Sequence, residues 1–116
     1  MTKKYDLEDR TFLFAKNVRS FCKTISKSIA NFSDISQLIR SSGSVGANYI
    51  EANESLSKKD FIHRIKISRK EAKESRYWLR LIDTMSNKVL DNECDKLIQE
   101  AQELMNIFGS IIQKSL

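Results

Sequence analysis

The most pronounced chemical pattern in this chain is the set of basic side chains in residues 58–80. That segment holds nine basic and three acidic residues, so it carries all of the excess positive charge of a chain whose formal net charge is +5. Guanidinium and ammonium groups along one side of a regular element bind phosphates and other anions, whereas scattered charges mainly confer solubility. The segment is therefore the first candidate for a binding surface.

Seven of these cations share one side when the segment is placed on a helix at about 100° per residue. The same side contains no aspartate or glutamate. Like charges three or four positions apart repel by about 0.2–0.5 kcal/mol for each pair, a cost that a purely structural surface does not require. A solvated face with scattered ion pairs is the alternative interpretation. The seven residues, called the basic arc below, are Lys59, Lys66, Arg69, Lys70, Lys73, Arg76 and Arg80.

The basic arc predicts a polyanionic ligand, either structured RNA or DNA. Because the arc as defined contains no aromatic side chain, we expect affinity to come from phosphate contacts, with little reading of the bases. A protein partner with an acidic surface is the alternative, in which case the chain acts as an adaptor.

Catalytic, metal-binding and phosphate-loop motifs are not found in the sequence. His63 is the only histidine, and Cys22 and Cys94 lie on apolar seams where small core residues are expected. Gly43 and Gly46 lack the further glycines or the lysine of a phosphate-binding loop. We therefore expect no metal, no cofactor and no small-molecule substrate.

Glu51 and Glu74 are the only carboxylates whose positions invite a catalytic interpretation. Each falls toward the middle of a predicted helix, and Asn48 shares a helix surface with Glu51. Paired carboxylates perform acid-base chemistry only with a pocket, a metal or an oxyanion donor beside them. We favour a structural polar network of Asn48, Glu51 and Glu74, and we expect no enzymatic activity.

The composition predicts a single all-α domain over residues 1–116. The chain has no proline, three glycines and 30% charged residues, which together favour long helices. No apolar run approaches the roughly 18 residues of a membrane span, so we expect no membrane insertion. Two cysteines among apolar neighbours and a polar start without a signal-peptide pattern indicate the reducing cytoplasm.

Apolar residues that recur at spacings of three and four predict four helices. The first is predicted over residues 7–32, and the second over residues 34–54. Ser57 and Asp60 resemble a capping box that starts the third helix. Asn87 is predicted to cap the end of that helix, and Asp91 to start a fourth helix that continues to the end of the chain.

The predicted helices form an up-down-up-down antiparallel bundle, because short connections allow each apolar stripe to pack without long crossovers. Residues 41–47 (SSGSVGA) are read as helix because the apolar spacing continues through them, although the two glycines also permit a loop. Small residues at the centres of the second and third helices predict a close-packed antiparallel pair.

A second surface of the third helix carries Ile67, Trp78 and Leu81 outside the main apolar seam, beside Glu71 and Glu74. Trp78 either widens the core stripe or belongs to a subunit interface, where large aromatic residues are enriched. We favour the interface, which predicts a homo-oligomer.

Four segments resemble the family of bacterial four-helix-bundle proteins whose founding members are encoded in intervening sequences of 23S ribosomal RNA genes. They are residues 6–11 (DLEDRT), 40–52 (RSSGSVGANYIEA), 57–63 (SKKDFIH) and 70–79 (KEAKESRYWL), so the resemblance covers nearly the whole chain. Residues Ser44, Asn48, Glu51 and Glu74 match the small-residue segment and polar positions of the family. Glu51 is followed by Ala52, where many members have glycine.

The resemblance implies a left-handed bundle that assembles into a ring-like homopentamer without known catalytic activity. A related branch comprises the accessory variability proteins of diversity-generating retroelements, basic pentameric barrels that contact nucleic acid and a reverse transcriptase. A reverse transcriptase is therefore one candidate for the alternative protein partner. For this chain, the resemblance supports the predicted architecture more directly than any particular role.

Overall fold

The computed structural model describes residues 6–116, which form four α-helices and no strand. The helices are α1 (Leu7–Lys23), α2 (Ile29–Asn53), α3 (Lys58–Leu81) and α4 (Lys88–Ser115). This confirms the predicted all-α class and the number of helices.

Polar side chains start every helix by accepting a backbone N–H three residues later, as N-cap residues do. Asp6 accepts from Asp9 at 2.8 Å, while Ser28, Ser57 and Asn87 make the same contact at 3.1 Å. The predicted start of the third helix at Ser57 is therefore confirmed.

The predicted boundary between the first two helices is wrong. Helix α1 ends at Lys23 rather than at residue 32, and α2 begins at Ile29 rather than at residue 34. The apolar spacing runs across the connection because Ile25, although it lies between the helices, folds into the core. Ile29 continues the pattern in the sequence, but its side chain is 93% exposed. Spacing alone therefore does not reveal the break.

The predicted roles of Asn87 and Asp91 are also wrong. Helix α3 ends at Leu81, and Asn87 is the N-cap of α4 rather than the C-terminal cap of α3. Met85 and Ser86, just before it, have positive φ angles of 57° and 63°. The chain thus turns through left-handed residues before α4, which places Asp91 in the first turn of that helix.

Successive helices run in opposite directions, which gives the bundle its up-down-up-down arrangement. Between α2 and α3, the Ser75 hydroxyl donates to Ser41 Oγ at 2.9 Å, and the Ser68 hydroxyl donates to the Val45 carbonyl at 3.0 Å. Serine at these buried positions lets the two backbones approach closely. The close-packed antiparallel pair and the helical state of residues 41–47 are both confirmed.

Helix α1 closes the bundle through a close approach to α2 and an ion-pair cluster with α4. A methyl group added at Gly46 would lie 2.9 Å from Thr11 Oγ1, so only glycine allows α1 this near. Arg10 donates to both carboxylate oxygens of Glu100, at 2.7 and 2.8 Å, and to Glu103 at 3.0 Å. The Glu100 hydrogen bonds raise the pKa of Arg10, so its charge is permanent.

The core is mainly apolar, with buried serines where α2 packs against α3. Phe14, Leu38, Ile65 and Phe108 are among its fully buried side chains. Within the described range, every helix lacks the long apolar stretch that crossing a lipid bilayer would require.

One of the fully buried polar side chains lies at the end of the bundle where two connections meet. Asn31, which is 1% exposed, donates from Nδ2 to the Ser26 carbonyl at 3.0 Å and to the Asp83 carbonyl at 2.9 Å. Its Oδ1 accepts from the Asp83 backbone N–H at 3.0 Å. Asn31 thereby joins the α1–α2 connection to the α3–α4 connection.

Candidate nucleic-acid interface

The basic arc lies on one unbroken helix, because α3 continues without interruption from Lys58 to Leu81. Six of its seven cations are exposed. Arg76 is half-buried, and its Nε atom is covered and has no hydrogen-bond partner among residues 6–116. The exposed six are Lys59, Lys66, Arg69, Lys70, Lys73 and Arg80.

Glu71 and Glu74, two of the three acids in residues 58–80, are directed to a cation on another helix. Arg40 of α2 pairs with Glu71 at 3.0 Å and with Glu74 at 3.1 Å. Glu71 is buried, and its Coulombic attraction and hydrogen bond are the main causes that raise the pKa of Arg40. The two carboxylates are therefore neutralised in part by Arg40 and form no ion pair with the arc.

The arc consequently keeps its charge. In the part of the chain that the structure describes, every ion pair involves Arg10 or Arg40, and none involves a residue of the arc. Cations without acidic partners can replace the counterions condensed on a polyanion, and the release of those counterions favours binding.

Asn48, Glu51 and Glu74 occupy three separate environments. Asn48 donates to the Ser44 carbonyl at 2.9 Å and accepts from Arg64 at 3.1 Å. Glu51 is exposed, and Glu74 is held by Arg40. The structure does not join these three side chains by hydrogen bonds, so within the described residues they form no common network.

Ile67, Trp78 and Leu81 differ in their exposure. Trp78 packs against the core and is half-buried, as the core-widening interpretation expects, and Ile67 is also half-buried. Leu81 leaves 47% of its surface exposed. The indole N–H of Trp78 is covered and lacks an acceptor within residues 6–116. The subunit interface stays a prediction.

Tyr77 is the residue that sequence reasoning missed. Its ring is 55% exposed and lies in a groove between α2 and α3 that Lys70 and Lys73 also line. The arc as defined contains no aromatic residue, but Tyr77 is its neighbour, and the prediction of little base reading did not take this ring into account. The signal was present in the sequence, because Tyr77 follows Lys73 by four positions and Lys70 by seven, spacings that share one helix side.

The two cysteines are free, buried and outside this interface. Burial raises the pKa of Cys22 and of Cys94 from 9.0 to about 11. The Cys94 thiol donates to the Leu79 carbonyl at 3.3 Å. Both residues therefore act as small core residues, as predicted.

The fold and the basic arc define a class of protein: an antiparallel four-helix bundle whose third helix carries a basic side that forms no ion pair with residues 6–116. Within that class, the chain belongs to the family of 23S rRNA-intervening sequence proteins, whose model matches residues 3–110. This confirms the family predicted from the sequence. The relation to the accessory proteins of retroelements stays a prediction.

A solved structure supports the same assignment. The chain is similar to a protein of unknown function from the S23 ribosomal protein family of Bacteroides thetaiotaomicron, with 26% sequence identity and a TM-score of 0.77. The likeness covers 92% of this chain and 98% of that one. The chain matches no curated protein.

Proposed function

We propose that this protein is a non-enzymatic, cytoplasmic scaffold that binds structured RNA or DNA through the phosphate contacts of the basic arc. The observation that carries the proposal is the direction of Glu71 and Glu74, which pair with Arg40 and leave the arc without acidic partners. The family name, which refers to an intervening sequence of ribosomal RNA, supports a setting near RNA.

The length of the arc fits a nucleic acid. From Lys59 to Arg80, α3 rises about 30 Å at ~1.5 Å per residue. One turn of duplex DNA is roughly 34–36 Å long, so the cations span nearly a full turn of phosphates. Lysine and arginine contacts to phosphates give affinity without sequence specificity.

The test of the proposal is a binding titration with a structured RNA hairpin and with duplex DNA at increasing salt. If four arc cations contact phosphates, affinity should fall by about 150-fold between 50 and 200 mM salt. Fluorescence anisotropy of a labelled nucleic acid measures this dependence. Absence of binding at low salt would refute the proposal. An acidic protein recovered from a nuclease-treated extract of the native host would favour the adaptor instead.

We also propose that copies of the chain associate through Ile67, Trp78 and Leu81, in a pentamer according to the family resemblance. The exposed part of Leu81 and the unpartnered indole N–H of Trp78 support an interface here. Several arcs in one particle would raise the overall affinity by avidity. Light scattering should give a mass several times that of the 13.4 kDa chain. A stable monomer at micromolar concentration would contradict this part of the proposal.

A further inference from the structure

The groove that Tyr77 shares with two cations of the arc has the composition of a nucleotide site. It encloses about 560 Å³ between α2 and α3. Its α3 wall presents an exposed aromatic ring and two ammonium groups, and its α2 wall presents an amide. Its lining residues are Gln37, Arg40, Lys70, Lys73, Glu74, Tyr77 and Trp78.

We propose that this groove holds one unpaired nucleotide of a bound strand, with the base stacked on Tyr77 and the flanking phosphates on Lys70 and Lys73. The inference rests on the proposed function and names its substrate class, namely nucleic acid with single-stranded nucleotides. Aromatic side chains beside a basic track bind single strands in this manner, because every base offers a π face.

The ring of Tyr77 is held in place before any ligand arrives. It packs against Trp78 in an edge-to-face arrangement, with ring centroids 5.1 Å apart and an interplanar angle of 77°. That contact uses only part of the ring, since 55% of Tyr77 remains exposed. A fixed aromatic ring loses little conformational entropy on binding, which favours stacking.

The cations stand at suitable distances from the ring. Lys73 precedes Tyr77 by about 6 Å along the helix axis and Lys70 by about 10 Å, at ~1.5 Å per residue. Both side chains are exposed and neither forms an ion pair with a described residue. They therefore reach phosphates on one side of a base that lies on Tyr77.

The carboxylate in the groove is offset in part. Glu74 is paired with Arg40 at 3.1 Å, and Arg40 also pairs with Glu71, so these three side chains keep one net negative charge. Lys70 and Lys73 bring two positive charges to the same groove, which leaves its lining positive overall. The Gln37 amide lies across the groove and offers a donor and an acceptor to a base edge.

The site is compatible with the proposed subunit interface. Trp78 also lines the groove, so a subunit that covers its outer side would adjoin the site. Consecutive residues on a helix point about 100° apart, which leaves Tyr77 on the side of the arc.

The inference predicts different behaviour for paired and unpaired strands. A base inside a duplex is stacked on both faces and cannot reach a protein ring without being extruded. The duplex therefore uses the arc alone, whereas a single strand or a hairpin loop uses the arc and Tyr77.

The experiment compares Tyr77→Leu and Tyr77→Phe with the wild type, using an unstructured single-stranded RNA and a duplex of the same length. We expect Tyr77→Leu to weaken single-strand binding by about 5- to 150-fold, the range for loss of one stacked base. Tyr77→Phe keeps the ring and should bind the single strand as the wild type does. Both variants should bind the duplex normally. Phe12→Leu removes an exposed ring from α1 and is the matched control, with no expected effect.

The single tryptophan supplies a second readout. Trp78 contacts Tyr77, and it is the only tryptophan in the chain, so single-strand binding should change its fluorescence while duplex binding should not. An equal loss of affinity for both ligands in Tyr77→Leu, or no loss of affinity for either, would overturn the inference. If neither affinity falls, salt-dependent duplex binding would leave the proposed function intact.

Two further outcomes separate the inference from its alternatives. If the wild type binds neither ligand at low salt, the proposed function fails and the inference fails with it. If adenosine monophosphate alone binds at micromolar concentration and single-stranded RNA does not compete, the groove is a free-nucleotide site, which overturns the assignment to a strand.

Discussion

Replacing Lys66, Arg69, Lys70 and Lys73 together by glutamate is expected to lower the affinity for RNA and DNA by about 4 × 10³-fold at 0.1 M salt, because counterion release at each of the four phosphate contacts contributes roughly eightfold. All four side chains are exposed, so the change leaves the core intact. The new glutamates repel one another about as much as the original cations did, so helix α3 should persist. Fluorescence anisotropy measures the binding, and circular dichroism verifies the helix content.

The matched control reverses four exposed lysines outside the arc and changes the net charge by the same amount. Its substitutions are Lys27→Glu, Lys88→Glu, Lys96→Glu and Lys114→Glu. If the arc is the binding surface, this control should lose far less affinity than the arc variant. Equal losses would mean that overall charge attracts the nucleic acid, and the arc would no longer be the site.

Replacing Asn31 is expected to cost more stability than any other exchange of one polar side chain in the described part of the bundle. Asn31→Leu has a similar volume but leaves the Ser26 carbonyl, the Asp83 carbonyl and the Asp83 N–H without their partner. A buried polar group that loses its partner costs about 1–3 kcal/mol. Because Ser26 and Asp83 are themselves exposed, water replaces part of the loss, and we expect a decrease of about 2–4 kcal/mol in the free energy of unfolding.

Urea denaturation measures this decrease, and two further variants show its cause. Asn31→Asp keeps the shape but places an oxygen against two carbonyls, so it should be at least as unstable as Asn31→Leu near neutral pH. Asn92→Leu, at an exposed position on α4, should change the free energy of unfolding by less than about 0.5 kcal/mol. If Asn31→Leu had the same urea midpoint of unfolding as the wild type, this role of Asn31 would be contradicted.

Much of the fold was predictable because it depends on local patterns. Apolar spacing predicts four helices, and the serine at position 57 starts α3 as its sequence context indicates. The run of small residues in α2 is helical because neighbouring serines on α3 fill the space beside it. In these places, local preference and tertiary packing agree.

The helix boundaries were less predictable because a connection can continue an apolar pattern. Ile25 lies in the turn after α1 and still enters the core, which hides the break from any count of spacings. Ser28 caps α2 by accepting the backbone N–H of Asn31, and the Asn31 side chain bonds to Asp83, which lies 52 positions further along the chain. Such long-range hydrogen bonds have no signature in a single sequence.

The candidate interface was predicted in part. The position of the cations on one side of α3 follows from helix geometry, and their exposure agrees with it. The partner of Glu71 and Glu74 was not predictable, because Arg40 lies more than thirty positions away on α2. The position of Tyr77 beside the arc, in contrast, follows from the same helix geometry. Whether these residues bind nucleic acid stays a prediction.

Cys22 and Cys94 have a practical consequence for work on this protein. With a pKa of about 11 instead of 9.0, each thiol forms about 100-fold less thiolate near neutral pH than an ordinary cysteine. Because both are also buried, a maleimide dye would react first with a cysteine newly introduced on the surface. The wild-type chain is therefore a suitable background for attaching one probe at a chosen site, without prior removal of its native cysteines.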